Sequence, residues 1–279
     1  MADSPQLMCK IIYVNSADGE EPDSERANKV TQLVMLAIQK FREFLAAQNG
    51  PGQSVRLACV HAYGTRQEMR EDKTIQMFVS FEDVPETLPF TRGYTITFPF
   101  AINVIDALPD DIDGVFPAEE MKAYEWVMNS ILHEMCHAFG AFHSNDGIMS
   151  GPVALYDNKD EYRFEDFDLM DHLDDHSTRI LSEMLHRDRE DSNCHFEYDE
   201  ETKQVTFKSN VDMSAIFYLK KTAYTNNFTY LNNDRTVTQQ VPDDDSWDAV
   251  YVLSFFGTAT YFTREAIKSN QHTPQTRKF

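Results

Sequence analysis

At 279 residues, 42% hydrophobic and 12% aromatic, the chain is long enough to bury a core without staples and too apolar to be disordered. Its 46 acidic and 25 basic residues leave a formal charge of -21, which repels phosphates and excludes nucleic acid and anionic membranes as general partners. The four cysteines are scattered, with no CxxC pair, so neither a cysteine zinc site nor a disulfide scaffold is expected.

The start, MADSPQLMCKIIYVN, lacks the basic residues and apolar stretch of a signal peptide, so a cytoplasmic location is expected. Lys10 to Asn15 is a β-rich run ahead of Ala-Asp-Gly turn chemistry and predicts a strand. From Ser24 to Gln48, Val30, Leu33, Val34, Ile38, Phe41 and Leu45 recur at helical spacing, and Asn49-Gly50-Pro51-Gly52 supplies the stop. Strands are predicted over Ser54 to Tyr63 and Ile75 to Phe81. Gly93 to Ile105 is a further extended run, in which Pro99 favours an edge strand or a bend. Pro117 opens a helix, where its missing N–H costs nothing, and Glu119 and Glu120 suit the first turn. Phe164 to Arg187 again has helical periodicity. Beyond a composition shift at Asp188 to Asn193, short alternating stretches predict an all-β module: His195 to Tyr198, Gln204 to Lys208, Ala215 to Leu219, Ala249 to Phe256 and Thr258 to Phe262. Polar turns such as Asn232-Asn233-Asp234 separate them, and the tail from Lys268 reads as mobile.

The chemistry concentrates in HEMCHAFGAFHSNDGIMSG, His133 to Gly151. Residues four apart share one face of a helix, so His133 and His137 can hold one zinc ion at about 2.0–2.1 Å each. Glu134 is rotated by about 100°, poorly placed as a ligand but well placed to take a proton from a zinc-bound water. On an unbroken helix His143 would lie about 15 Å along the axis from His133, out of reach of the same ion. The helix must end and turn back, and Gly140 sits where a left-handed residue is needed. Three neutral histidines with an open fourth position describe a catalytic zinc site rather than a closed structural one.

HEMCHAFGAFH resembles the extended signature of the metzincin clan of zinc metalloproteases, and Gly147-Ile148-Met149-Ser150 is similar to the clan's Met-turn. The resemblance implies His133, His137 and His143 as ligands of one Zn2+, Glu134 as general base and Met149 as an apolar floor beneath the histidines. It also implies a twisted sheet whose edge strand pairs with extended substrate; Tyr94 to Phe98 is the candidate, and Gly151 to Leu155 would form one wall of a specificity pocket. The His143–Met149 spacing is short, with five residues between, and no tyrosine follows Met149 by two positions; Tyr156 is the remote substitute. A compact His-to-Met loop ahead of a β-rich domain also resembles an uncharacterised eukaryotic zincin family.

The expected organisation is α+β. A metzincin-like catalytic domain over 1–190, with a twisted mixed sheet and long helices, precedes a small all-β, sandwich-like domain over 194–265 and a flexible tail over 266–279. The expected function is a zinc-dependent endopeptidase acting on peptide or protein. The alternative is a catalytically silent, zinc-stabilised interaction protein whose C-terminal β-domain binds a partner. Two further features are weighed as bland. Cys136 reads as a buried free thiol, and Asp171-His172-Leu173-Asp174-Asp175-His176 as a solvated acidic helix face rather than a second metal site. Asp146 is expected to fix the turn before Met149 through backbone hydrogen bonds.

Overall fold

The computed structural model describes residues 7–13, 24–49, 57–63, 75–80, 95–99, 116–151, 161–162, 167–184, 193–255, 258–271 and 275–278. The chain is α+β, as expected. Its contacts fall into two compact units, residues 1–141 with 145–178, and residues 142–144 with 179–279. No helix among the described residues is long and apolar enough to cross a membrane.

In the first unit, strands β1 (Leu7–Tyr13), β2 (Leu57–Tyr63), β3 (Ile75–Ser80) and β4 (Thr95–Pro99) form a four-stranded sheet ordered β2-β1-β3-β4. Where a mixed sheet is expected, the described pairs in this sheet are all parallel; Ile11, for example, lies opposite His61 on one side and Met77 on the other. β4 is an edge among the described strands, and Pro99 closes it, consistent with a residue that cannot donate to a ladder. Helix α1 (Ser24–Asn49) buries Val30, Leu33, Val34, Ile38, Phe41 and Leu45, the residues whose spacing predicts it. Helix α2 (Ala118–Ala138) begins one residue after Pro117, which lies in the two-residue strand β5 (Phe116–Pro117) paired with β6 (Glu161–Tyr162). The two helices meet through Phe41 and Phe139, packed edge to face at 5.1 Å, and α2 lies against β4.

The helical periodicity over 164–187 does not make one helix. A 3₁₀ turn at Leu169–His172 comes first, and helix α3 (Asp175–Met184) starts afresh. Asp174 causes the restart: its carboxylate accepts the backbone N–H groups of His176 and Ser177 and the Ser177 hydroxyl, at 3.0, 3.0 and 2.6 Å. That is an N-cap, which satisfies donors a continuing helix would have bonded internally.

The second unit is built on one antiparallel sheet of β7 (Cys194–Asp199), β8 (Gln204–Lys220), β9 (Ala223–Gln240), β10 (Ala249–Ser254), β11 (Thr258–Thr263) and β12 (Gln275–Lys278). β8 carries β7 against its first half, β10 against its second and β9 along both. Alternate residues of β8 enter two cores. Phe207, Ile216 and Tyr218 pack with Phe196, Trp247 and Phe262, while Ala215, Phe217 and Leu219 pack with Tyr251, Phe142 and the α3 residues Ile180 and Met184. With both faces covered, this part of β8 reads as a continuous apolar run.

Two expectations are corrected here. Gln204 to Lys208 and Ala215 to Leu219 belong to one strand, not two. β9 runs straight through Asn232-Asn233-Asp234, read from sequence as a turn; Asn233 takes a positive φ of 62° there and the pairing with β8 shifts register. Most of β9 is exposed, so it carries no apolar alternation, and its ladder with β8 rather than burial makes it a strand. Helix α4 (Arg264–Lys268) follows β11 and buries Ile267, and β12 pairs with β11.

Candidate metal centre

Helix α2 places the motif by its own periodicity. Val127, Ile131, Leu132, Met135 and Cys136 are buried, which turns His133, Glu134 and His137 onto the partly exposed flank. The helix then ends as the spacing predicts. Gly140 has φ 101°, its N–H donates to the His137 carbonyl at 3.0 Å, and the Ala141 N–H donates to the Cys136 carbonyl at 2.9 Å. This is a Schellman closure with glycine at the left-handed position, and it reverses the chain ahead of His143.

One ring nitrogen from each of His133, His137 and His143 falls in a group lying within 4.8 Å of one another. Hydrogen bonds settle the tautomers of two rings. His133 Nδ1 lies 2.8 Å from the Ile148 carbonyl, and His137 Nδ1 lies 2.9 Å from the Ala141 carbonyl. A carbonyl only accepts, so both Nδ1 atoms carry the proton and both Nε2 atoms keep their lone pairs. Those Nε2 atoms are 3.0 Å apart. Two lone pairs at that distance are stabilised by a shared positive centre, a proton or a metal ion. Nitrogens each about 2.0–2.1 Å from one tetrahedral ion lie about 3.3–3.4 Å apart, so a small adjustment fits the pair to zinc. His143 Nδ1 is engaged by the Thr222 hydroxyl at 2.9 Å, which leaves Nε2 as its other ring nitrogen. Three neutral imidazoles suit a borderline cation such as Zn2+.

Glu134 is partly buried and falls outside the ligand group. Burial holds its carboxyl above the ordinary carboxylate range, and the neighbouring His133 pulls it part of the way back. Met149 is fully buried in a 3₁₀ turn, Ile148–Ser150, whose first carbonyl is the acceptor for His133. The turn is fixed at its start by Asp146, which accepts the Gly147 N–H at 2.8 Å, and at its end by Ser150, which donates twice to the Gly147 carbonyl. Tyr94 and residues 152–155, among the candidates for substrate contact, and Tyr156, the remote substitute for a tyrosine after Met149, lie outside the described residues.

The acidic run after the motif assembles no second site among the described residues. His172 stacks on Phe167 at 5.0 Å, Asp174 caps α3, and Asp171 and Asp175 face solvent. Cys136 is a buried free thiol whose pKa is pushed up by burial first and by Asp174 second. Sequence reasoning misses Thr222. It stands 79 positions from His143 in a Lys-Lys-Thr turn that carries no motif.

No protein-family model and no curated protein matches the chain in sequence. Among solved structures, the chain is similar to catalytically inactive OgpA from Akkermansia muciniphila, crystallised with an O-glycopeptide substrate, glycodrosocin. The identity is 10%, over 99% of this chain and 92% of that one, with a TM-score of 0.43.

Proposed function

We propose that the chain is a zinc-dependent endopeptidase, in which His133, His137 and His143 hold the ion and Glu134 moves the proton. The reading is supported by one observation above all: the three ring nitrogens converge, and two are held by carbonyls in the tautomer that leaves Nε2 free for a metal. Bound zinc supplies Lewis acidity toward a substrate carbonyl and toward water. Glu134 serves as general base and then returns the proton to the departing amine. Met149 closes the apolar side of the site. The edge of β4 aligns an extended peptide through main-chain hydrogen bonds.

The deciding experiment compares wild type with Glu134→Ala on a proteome-derived peptide digest, with and without a chelator. The variant keeps its zinc and its fold and loses cleavage by at least about a hundredfold, the lower range for a positioned proton-transfer group. A wild type that holds one zinc per chain and cleaves no peptide in the library would instead support the silent, zinc-stabilised interaction protein.

A further inference from the structure

We propose that Thr222, in the turn between β8 and β9, is the positioning residue for the third metal ligand. The inference rests on His143 being that ligand. The backbone around His143 is already fixed without the threonine side chain. The His143 N–H donates to the Thr222 carbonyl at 2.8 Å, the Tyr224 N–H donates to the His143 carbonyl at 2.9 Å, and His143 makes a parallel bridge to Ala223. The Phe142 N–H donates to the Tyr224 hydroxyl at 3.0 Å, and the Phe142 ring packs edge to face on Tyr251. What those contacts leave open is rotation of the imidazole, and the Thr222 hydroxyl, 2.9 Å from Nδ1, closes it.

The turn that presents the hydroxyl is itself held. Lys221 has a positive φ of 56°, its N–H donates to Asp248 at 2.8 Å, and Lys220 Nζ pairs with the same carboxylate at 2.8 Å. His133 and His137 take their orientation from main-chain carbonyls, which no side-chain substitution removes. For His143 the corresponding acceptor is a side chain, so its ring setting is open to mutation. An acceptor behind a metal-binding histidine fixes the ring and raises its basicity, and losing one typically weakens the metal by about 10–100-fold.

The test uses the full chain and zinc, with affinity read by chelator competition and geometry read from the visible spectrum of the Co2+-loaded protein. Thr222→Val keeps the shape and the backbone bonds and removes only the hydroxyl. Zinc affinity is expected to fall about tenfold, with an altered cobalt spectrum and an unchanged thermal midpoint of the metal-free protein; Thr222→Ser restores both metal readouts. Wild-type zinc affinity in Thr222→Val, or a Thr222→Ser variant as weak as the valine, overturns the inference. His143→Ala is the separate control: if it binds zinc as tightly as wild type, the ligand set itself is wrong.

Discussion

Gly147 shows what a single backbone angle contributes here. Its φ is 63°, and a Cβ added there would stand 2.5 Å from the His172 carbonyl oxygen. Both facts oppose any side chain, and the next carbonyl along, that of Ile148, is the acceptor for His133. Gly147→Ala is therefore expected to lower stability by about 1–3 kcal/mol in urea unfolding and to weaken zinc binding with it. Wild-type values for both would mean that the turn does not set His133. At this scale the sequence was legible where chemistry follows a local period. His133 and His137 share a helix face, and Gly140 ends that helix as its spacing requires. Thr222 was not legible, because hydrogen bonds between residues 79 positions apart leave no local pattern.

Elements were legible where burial is one-sided. The apolar stripe of α1 and the buried flank of α2 follow directly from spacing. Two elements escaped for opposite reasons. The run over 164–187 keeps a helical period, yet Asp174 supplies a local alternative to helical hydrogen bonding and starts a new helix. Replacing that cap by alanine is expected to cost about 0.5–2 kcal/mol, with Asp174→Asn retaining most of it. Equal losses from both variants in thermal unfolding would show that the carboxylate acts through something other than the cap. β9 escaped because it is an exposed partner of β8, and a strand held by its neighbour's ladder needs no apolar alternation of its own.

At the scale of the molecule, the proposed metal site would link metal binding to folding. Zinc at a hundred times its Kd is expected to stabilise the chain by about 2.7 kcal/mol, and a chelator to reverse the gain. The free thiols Cys136 and Cys194 provide the readout, since both are buried. Burial pushes the Cys194 thiol up to about 12, so neither burial nor acidity favours its reaction in the folded chain. Labelling of each thiol, followed by mass, should be slow in the folded protein and rapid in denaturant, and zinc should slow the labelling of Cys136. A rate for Cys136 indifferent to zinc would uncouple the ion from the stability of α2.

The sequence by itself determined the α+β class, the main helices and the convergence of His133, His137 and His143, because a helical period and a helix-ending glycine act over a few residues. Tertiary structure decided which carbonyls and which hydroxyl orient the three rings, that two apparent strands are one, and that β12 pairs with β11. Those outcomes depend on partners distant along the chain, and the backbone groups that make them are the same at every residue.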